Sequence, residues 1–251
     1  KLKSRLRRYV HGVESLEMGN PTNALLGLFM LWWGWLGFNA GSTYGISGNK
    51  WAYASNAAVT TIFSSIGGGS LALIYSYVKY QHRIDVRLMI IAVISALISI
   101  SGVCPFVQIW EAIIIGVIGS AAALVLHPVL DQLQIDDPVD AVVTHGVGGI
   151  WGLIAVGLFA TPNRLFPLGG QQGGLFKVGE FRFLGVQSLA CVCVIVWSGL
   201  VSLLIILVLD RLLGLRSSDE EEILGSDFTE HGIRHYGNND LVEWYCSLQP
   251  K

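Results

Sequence analysis

The stretch Asp136-Asp137-Pro138-Val139-Asp140-Ala141-Val142-Val143-Thr144-His145-Gly146-Val147-Gly148-Gly149-Ile150-Trp151-Gly152-Leu153-Ile154-Ala155-Val156-Gly157-Leu158-Phe159 sets an ionisable ring inside an apolar run. From Val139 to Phe159 it is long enough to cross a bilayer, for which roughly 20 apolar residues suffice. A full charge at such depth costs about 2.5–3.5 kcal/mol on insertion scales, so an ionisable residue there is a functional candidate. Asp137 suits the helix cap, Pro138 the first helical position, and Asp140 the first turn beside the positive end of the helix dipole. That start puts His145 about two turns in, near the inner third of the membrane. A neutral ring there has one donor and one acceptor nitrogen, able to bond a small passing donor or relay a proton. A packed histidine bonded to a neighbour is the alternative.

Working outward, 52% hydrophobic and 14% charged residues with a mean hydropathy of +0.56 assign the 251-residue chain to the integral membrane class. A net charge of −2 gives no basic surface for nucleic acid. The four cysteines, Cys104, Cys191, Cys193 and Cys246, fit neither a zinc pattern nor a disulfide framework. Lys1 opens the chain without a signal peptide, so a fragment or processed chain is expected. Six spans are predicted, at 24–42, 54–78, 87–107, 109–130, 139–160 and 184–209, with a glycine-rich connection over 161–183. The expected organisation is a basic cytoplasmic segment over 1–23, a six-helix transmembrane domain over 24–209 and a soluble cytoplasmic tail over 210–251. Twelve of the 16 Lys and Arg residues fall on the side that holds both ends of the chain, which predicts that both are cytoplasmic. Many of the 30 glycines lie on the spans, among them Gly34, Gly37, Gly41, Gly67, Gly68, Gly69, Gly116, Gly119, Gly148 and Gly152. They predict close helix approach, because lipid gives no hydrophobic drive for association.

On the first span Leu31, Trp35, Phe38 and Ser42 recur at helical spacing and form one stripe, apolar, then aromatic, then hydroxylic. Aromatic faces attract a cation by up to about 2 kcal/mol once the site is dry. Spacing alone fits an interfacial belt or plain packing at least as well. Gly45-Ile46-Ser47-Gly48 matches the Gly-x-Ser-Gly pattern of intramembrane serine proteases, yet Ser47 sits in a polar connection on the side away from His145. No enzyme, metal site or cofactor is expected, and His127 before Pro128 reads as isolated.

Three blocks together resemble the ammonium transporter (Amt/Mep/Rh) family, in its Amt branch. Gly34-Trp35-Leu36-Gly37-Phe38-Asn39-Ala40-Gly41-Ser42 is similar to the family's Gly-Trp-x-Gly-Phe-Asn-x-Gly-Ser segment. Asp136-Asp137-Pro138, Asp140 and His145-Gly146 resemble its second pore-histidine helix. Gly225-Ser226-Asp227 with His231-Gly232 resembles its cytoplasmic tail motif. Cys104 stands where a threonine usually precedes the proline, and Ile233 where an acidic residue often follows His-Gly.

The resemblance implies an all-α membrane bundle, the C-terminal six spans of an eleven-span fold with inverted pseudo-repeats and one narrow pore in each subunit of a trimer. It makes Phe38 one ring of a two-phenylalanine gate, Ser42 part of the outer recruitment site, and Trp35 and Leu31 lining below. His145 becomes one of two paired pore histidines, and Asp137 the structural carboxylate at its helix base. Asp227, His231 and Gly232 become tail elements with a regulatory role. Expected function is ammonium or ammonia transport in a plasma membrane, as a homotrimer with complete subunits. An ammonium sensor signalling through the tail is an alternative. So is a truncated, non-conducting subunit, since residues 1–251 alone are expected to conduct nothing.

Overall fold

The computed structural model describes residues 18, 20–133, 135, 137–162, 172–218, 221 and 226–232. The basic start of the chain, Asp136, residues 163–171 of the glycine-rich connection, Ile233 and Cys246 lie outside the described residues. Every regular element described is helical: α1 (Pro21–Gly41), α2 (Lys50–Lys79), α3 (Val86–Ser101), α4 (Ile109–Gln132), α5 (Val142–Phe159), a short α6 (Leu175–Val178), α7 (Arg182–Leu213) and a short α8 (Ser226–Thr229). Helices α1, α2, α4, α5 and α7 are long and apolar enough to cross a membrane, and α3 is apolar but only 16 residues long.

Local chemistry explains where these helices begin and end. Asn20 caps α1, its side chain accepting from the Asn23 N–H at 3.0 Å, with Pro21 at the first position. Asp85 caps α3 through the N–H groups of Arg87 and Leu88. The third span is predicted to reach residue 107, but α3 stops at Ser101. Pro105 has no N–H to continue the ladder, so Cys104–Phe106 winds as a tighter 3₁₀ turn. The carbonyls freed there are not left bare. The Asn56 amide donates to Pro105 and Val107 at 3.1 Å each, and the Thr60 hydroxyl to Cys104 at 2.8 Å. Irregular backbone is tolerated at membrane depth when the protein itself satisfies it.

The chain divides into two units by its contacts. One comprises Asn20–Gln132 and Asp137–Trp197, and the other Lys1–Gly19, Leu133–Asp136 and Ser198–Lys251. The first holds the bundle, centred on α2, α3 and α4. Its core is made of small residues. A Cβ on Gly116 would collide with the Ser64 carbonyl of α2, and one on Gly67 would lie 2.7 Å from the Ile113 carbonyl of α4. Gly68 meets Ser120 and Ala96, and Gly119 meets Ser99. Hydroxyls join the helices further: Ser64 donates to the Ala96 carbonyl at 2.9 Å and Ser120 to that of Ala92 at 2.7 Å. Helix α5 docks through Gly148 and Gly152 against the Ser95 and Ser99 carbonyls of α3, and its Trp151 indole donates to the Ile115 carbonyl of α4 at 2.9 Å. Gly34, Gly37 and Gly41 differ from this pattern, since nothing described lies within 4 Å of a Cβ at any of them. The close approach predicted for them is not made among the described residues. Of α7 only Cys191 is buried, so its apolar surface faces outward.

Gly116→Ala should therefore cost about 1–3 kcal/mol through overpacking. Gly199→Ala on the outward face of α7 should change stability by less than about 0.5 kcal/mol. Thermal unfolding of the two variants in the same detergent measures the difference.

Candidate functional site

Helix α1 carries Leu31, Trp35 and Phe38 along one side, and Ser42 caps its C-terminal end. The Trp35 and Phe38 rings meet edge to face with centroids 5.7 Å apart. The Ser42 hydroxyl donates to the Phe38 carbonyl at 2.7 Å, one turn back, and so is turned onto its own helix. Leu31 and Phe38 are exposed, at 49% and 61%. Trp35 is half-buried, its indole donating to the Ser101 hydroxyl of α3 at 2.8 Å. Asn39, between Phe38 and Ser42, is buried instead and ties α1 to α2 through the Thr61 hydroxyl at 2.8 Å.

His145 lies in a π-helical turn, Val142–Val147, that opens α5 before it continues as α-helix from Gly148. In an unbroken α-helix, His145 and Thr144, three and four residues before Gly148, would share its packed face. With the looser i→i+5 winding Thr144 stays buried, at 3% exposure, Val143 is buried beside it at 0%, and His145 is left exposed. Among the described residues nothing hydrogen-bonds its ring. The structure joins His145 to the α1 stripe by no direct bond, but both border α3. Trp35 of α1 and Ile94 of α3 both pack against the Leu28, Val93 and Leu97 cluster, and Ile98, one turn on from Ile94, lies against Gly148.

The start of α5 differs from the expected cap. Asp137 is buried and accepts from the N–H groups of Ala141 and Val142 at 2.8 and 2.7 Å, so the helix begins later and Pro138 lies in the turn before it. Asp140 is not in the first turn. It precedes the spanning helix in a left-handed conformation, φ +57°, with its carboxylate turned inward rather than toward the dipole. Arg87 of α3 holds it with both fork arms, Nε to Oδ2 at 2.7 Å and Nη2 to Oδ1 at 2.9 Å. His127 of α4, which reads as isolated in the sequence, places Nδ1 3.0 Å from Oδ1. Burial would raise the Asp140 carboxyl, but the hydrogen bonds of His127 and Arg87 outweigh it and keep it below the usual carboxylate range. A second ion pair joins Lys177 of α6 to Glu111, which is buried near the start of α4 and accepts from the Gln108 N–H. The spacing of neither pair signals it in the sequence.

In the other unit, Asp227 lies in α8. The Gly232 N–H closes on the Phe228 carbonyl at 3.0 Å with φ +67°, a left-handed helix end that favours glycine, and His231 is exposed. Ser47 of the protease-like motif lies in the exposed connection between α1 and α2. Among the described residues no group of His, Cys, Asp and Glu could hold a metal ion.

The model of the Ammonium Transporter Family matches residues 1–236. This chain belongs to the ammonium transporter family. A Caenorhabditis elegans protein whose provisional name is ammonium transporter 3 is 41% identical over 86% of this chain and 32% of its own length. Ammonium transporter Amt2 of Archaeoglobus fulgidus is 31% identical over 92% of this chain and 49% of its own. Among solved structures, a sensor Amt protein aligns with TM-score 0.76 and 31% identity over 90% of this chain and 54% of that one. Mep2 of Candida albicans aligns with TM-score 0.73 and 27% identity over 83% and 46%. The chain thus spans from a third to about half the length of the family members it matches, and its bundle is the all-α Amt/Mep fold over that length.

Asp137 closes two N–H groups at the start of α5, so Asp137→Ala should cost about 1–2 kcal/mol. Amide exchange measured in the reconstituted protein should rise first at Ala141 and Val142.

Proposed function

We propose that the chain conducts ammonium or ammonia across a membrane, together with the rest of a transporter subunit. The observation that carries this reading is His145, an exposed ring without a bonded partner among the described residues, set in a π-wound turn of a family span. Ammonium would be drawn toward Phe38 and Trp35, whose faces favour a cation, and toward Ser42. Potassium offers no hydrogen-bond donor, so acceptors placed there would distinguish the two ions. Trp35 and Leu31 would line a dry stretch that disfavours charge. Beyond it the neutral His145 would accept a hydrogen bond from the permeant molecule and, with a second histidine of the subunit, relay a proton. In this reading residues 24–209 are the transmembrane domain, 1–23 and 210–251 are cytoplasmic, and the subunit works as a homotrimer in the plasma membrane.

A second reading, ammonium sensing, is favoured by the likeness to the sensor Amt protein and would use Asp227, His231 and Gly232 of the tail to signal. His145→Leu in the full-length protein should lower ammonium-evoked current and uptake at least tenfold. Unaltered current and uptake would remove His145 from the mechanism. Loss of flux with tail signalling intact would favour the sensor.

A further inference from the structure

We propose that Asp140, clamped by Arg87 and His127, is a positioning residue for His145: it fixes where α5 begins to wind and so the side to which the histidine turns. What His145 does once positioned rests on the transport reading above.

A non-glycine residue in the left-handed region is held there only where its surroundings over-determine it. At Asp140 those surroundings are visible. The Arg87 fork engages both carboxylate oxygens, which fixes orientation as well as distance. His127 adds a third contact from a different helix. Asp85, just before α3, is already committed to capping that helix. A short side chain locked at its tip leaves its own backbone little freedom. The Asp140 carbonyl then accepts from both the Thr144 N–H, at 3.0 Å, and the Thr144 hydroxyl, at 2.7 Å. Thr144 is therefore anchored immediately before the histidine.

Two windings compete beyond that anchor. A one-residue shift of an α-helix turns each side chain by about 100°. Released from Asp140, the π turn can tighten into regular helix, which swings His145 toward the face shared with Gly148. There the Ser95 carbonyl and Ile98 stand within 4 Å of a Cβ at Gly148, with little room for a ring. The clamp holds the looser winding and keeps the ring exposed.

The test uses the full-length protein in liposomes, with amide exchange over 141–148 and ammonium uptake as paired readouts. Asp140→Gly accepts φ +57° without strain but deletes the clamp. It should raise exchange of those amides at least tenfold and lower the maximal uptake rate at least tenfold, with half-saturation unchanged. Arg87→Met, which leaves residue 140 in place, should loosen the same amides. Asp140→Asn tolerates the left-handed backbone and keeps an acceptor for Arg87, so it should recover most of the protection. Native exchange and uptake in Asp140→Gly would overturn the proposal. So would loosening spread equally over α2 and α4, or local loosening that leaves uptake unchanged. If the unaltered protein takes up no ammonium, the transport reading fails, and the exchange data still judge the clamp.

Discussion

Bare glycine backbone pressed against a neighbouring carbonyl holds this bundle together, most tightly where Gly116 of α4 meets Ser64 of α2. In lipid no hydrophobic gain rewards helix association, so contact must come from dispersion at short range and from bonds between helices. Glycine allows the first, and the hydroxyls of Ser64 and Ser120 supply the second, each donating to a carbonyl of α3. These contacts lock α2, α3 and α4 as one body. A larger residue at Gly116, Gly67 or Gly68 would separate the helices and break the serine bonds with them.

A locked centre makes α3 a shared platform. Helix α1 lies on it through Trp35 and Ser101, and α5 through Gly148 and Gly152. The candidate residues stand on or at the ends of these two flanking helices. Side chains that are to bind a ligand must be exposed from the helix yet held in place. A rigid partner behind them meets both needs. The π turn fits this arrangement, since it departs from regular winding at the histidine.

Spans were legible in the sequence because hydropathy is a local property summed over a window, and the Amt blocks because their residues are contiguous. What escaped depends on distant partners. Capping logic placed Asp140 in the first helical turn, since it weighs only the neighbours along the chain. The structure gives that carboxylate to Arg87 and His127, on two other helices. Lys177 and Glu111 pair across 66 residues with no motif to announce it. Val142-Val143-Thr144-His145 reads as ordinary helix, and the looser turn shows only in the backbone of Val142–Val147 and in His145 being exposed where regular winding would bring it toward the face of Gly148. The predicted third span ran past Ser101 because hydropathy does not register that Pro105 ends the ladder.

Charge placement along α4 bears on the depth of the histidine. Glu111 stands near the start of that helix and His127 near its end, about 24 Å apart at 1.5 Å per residue. Between them α4 carries no charged residue. Each belongs to a cluster spanning more than one element, Glu111 with Lys177 and His127 with Asp140 and Arg87. The hydrocarbon of a bilayer is about 30 Å thick, so two such clusters fall close to its opposite borders, where paired charges cost least. His145 follows Asp140 by five residues and so reaches only about 7–8 Å inward from the second border. At that depth the exposed ring stays close to the interface. A site at the bilayer centre would lie about 15 Å from either border, roughly twice as far.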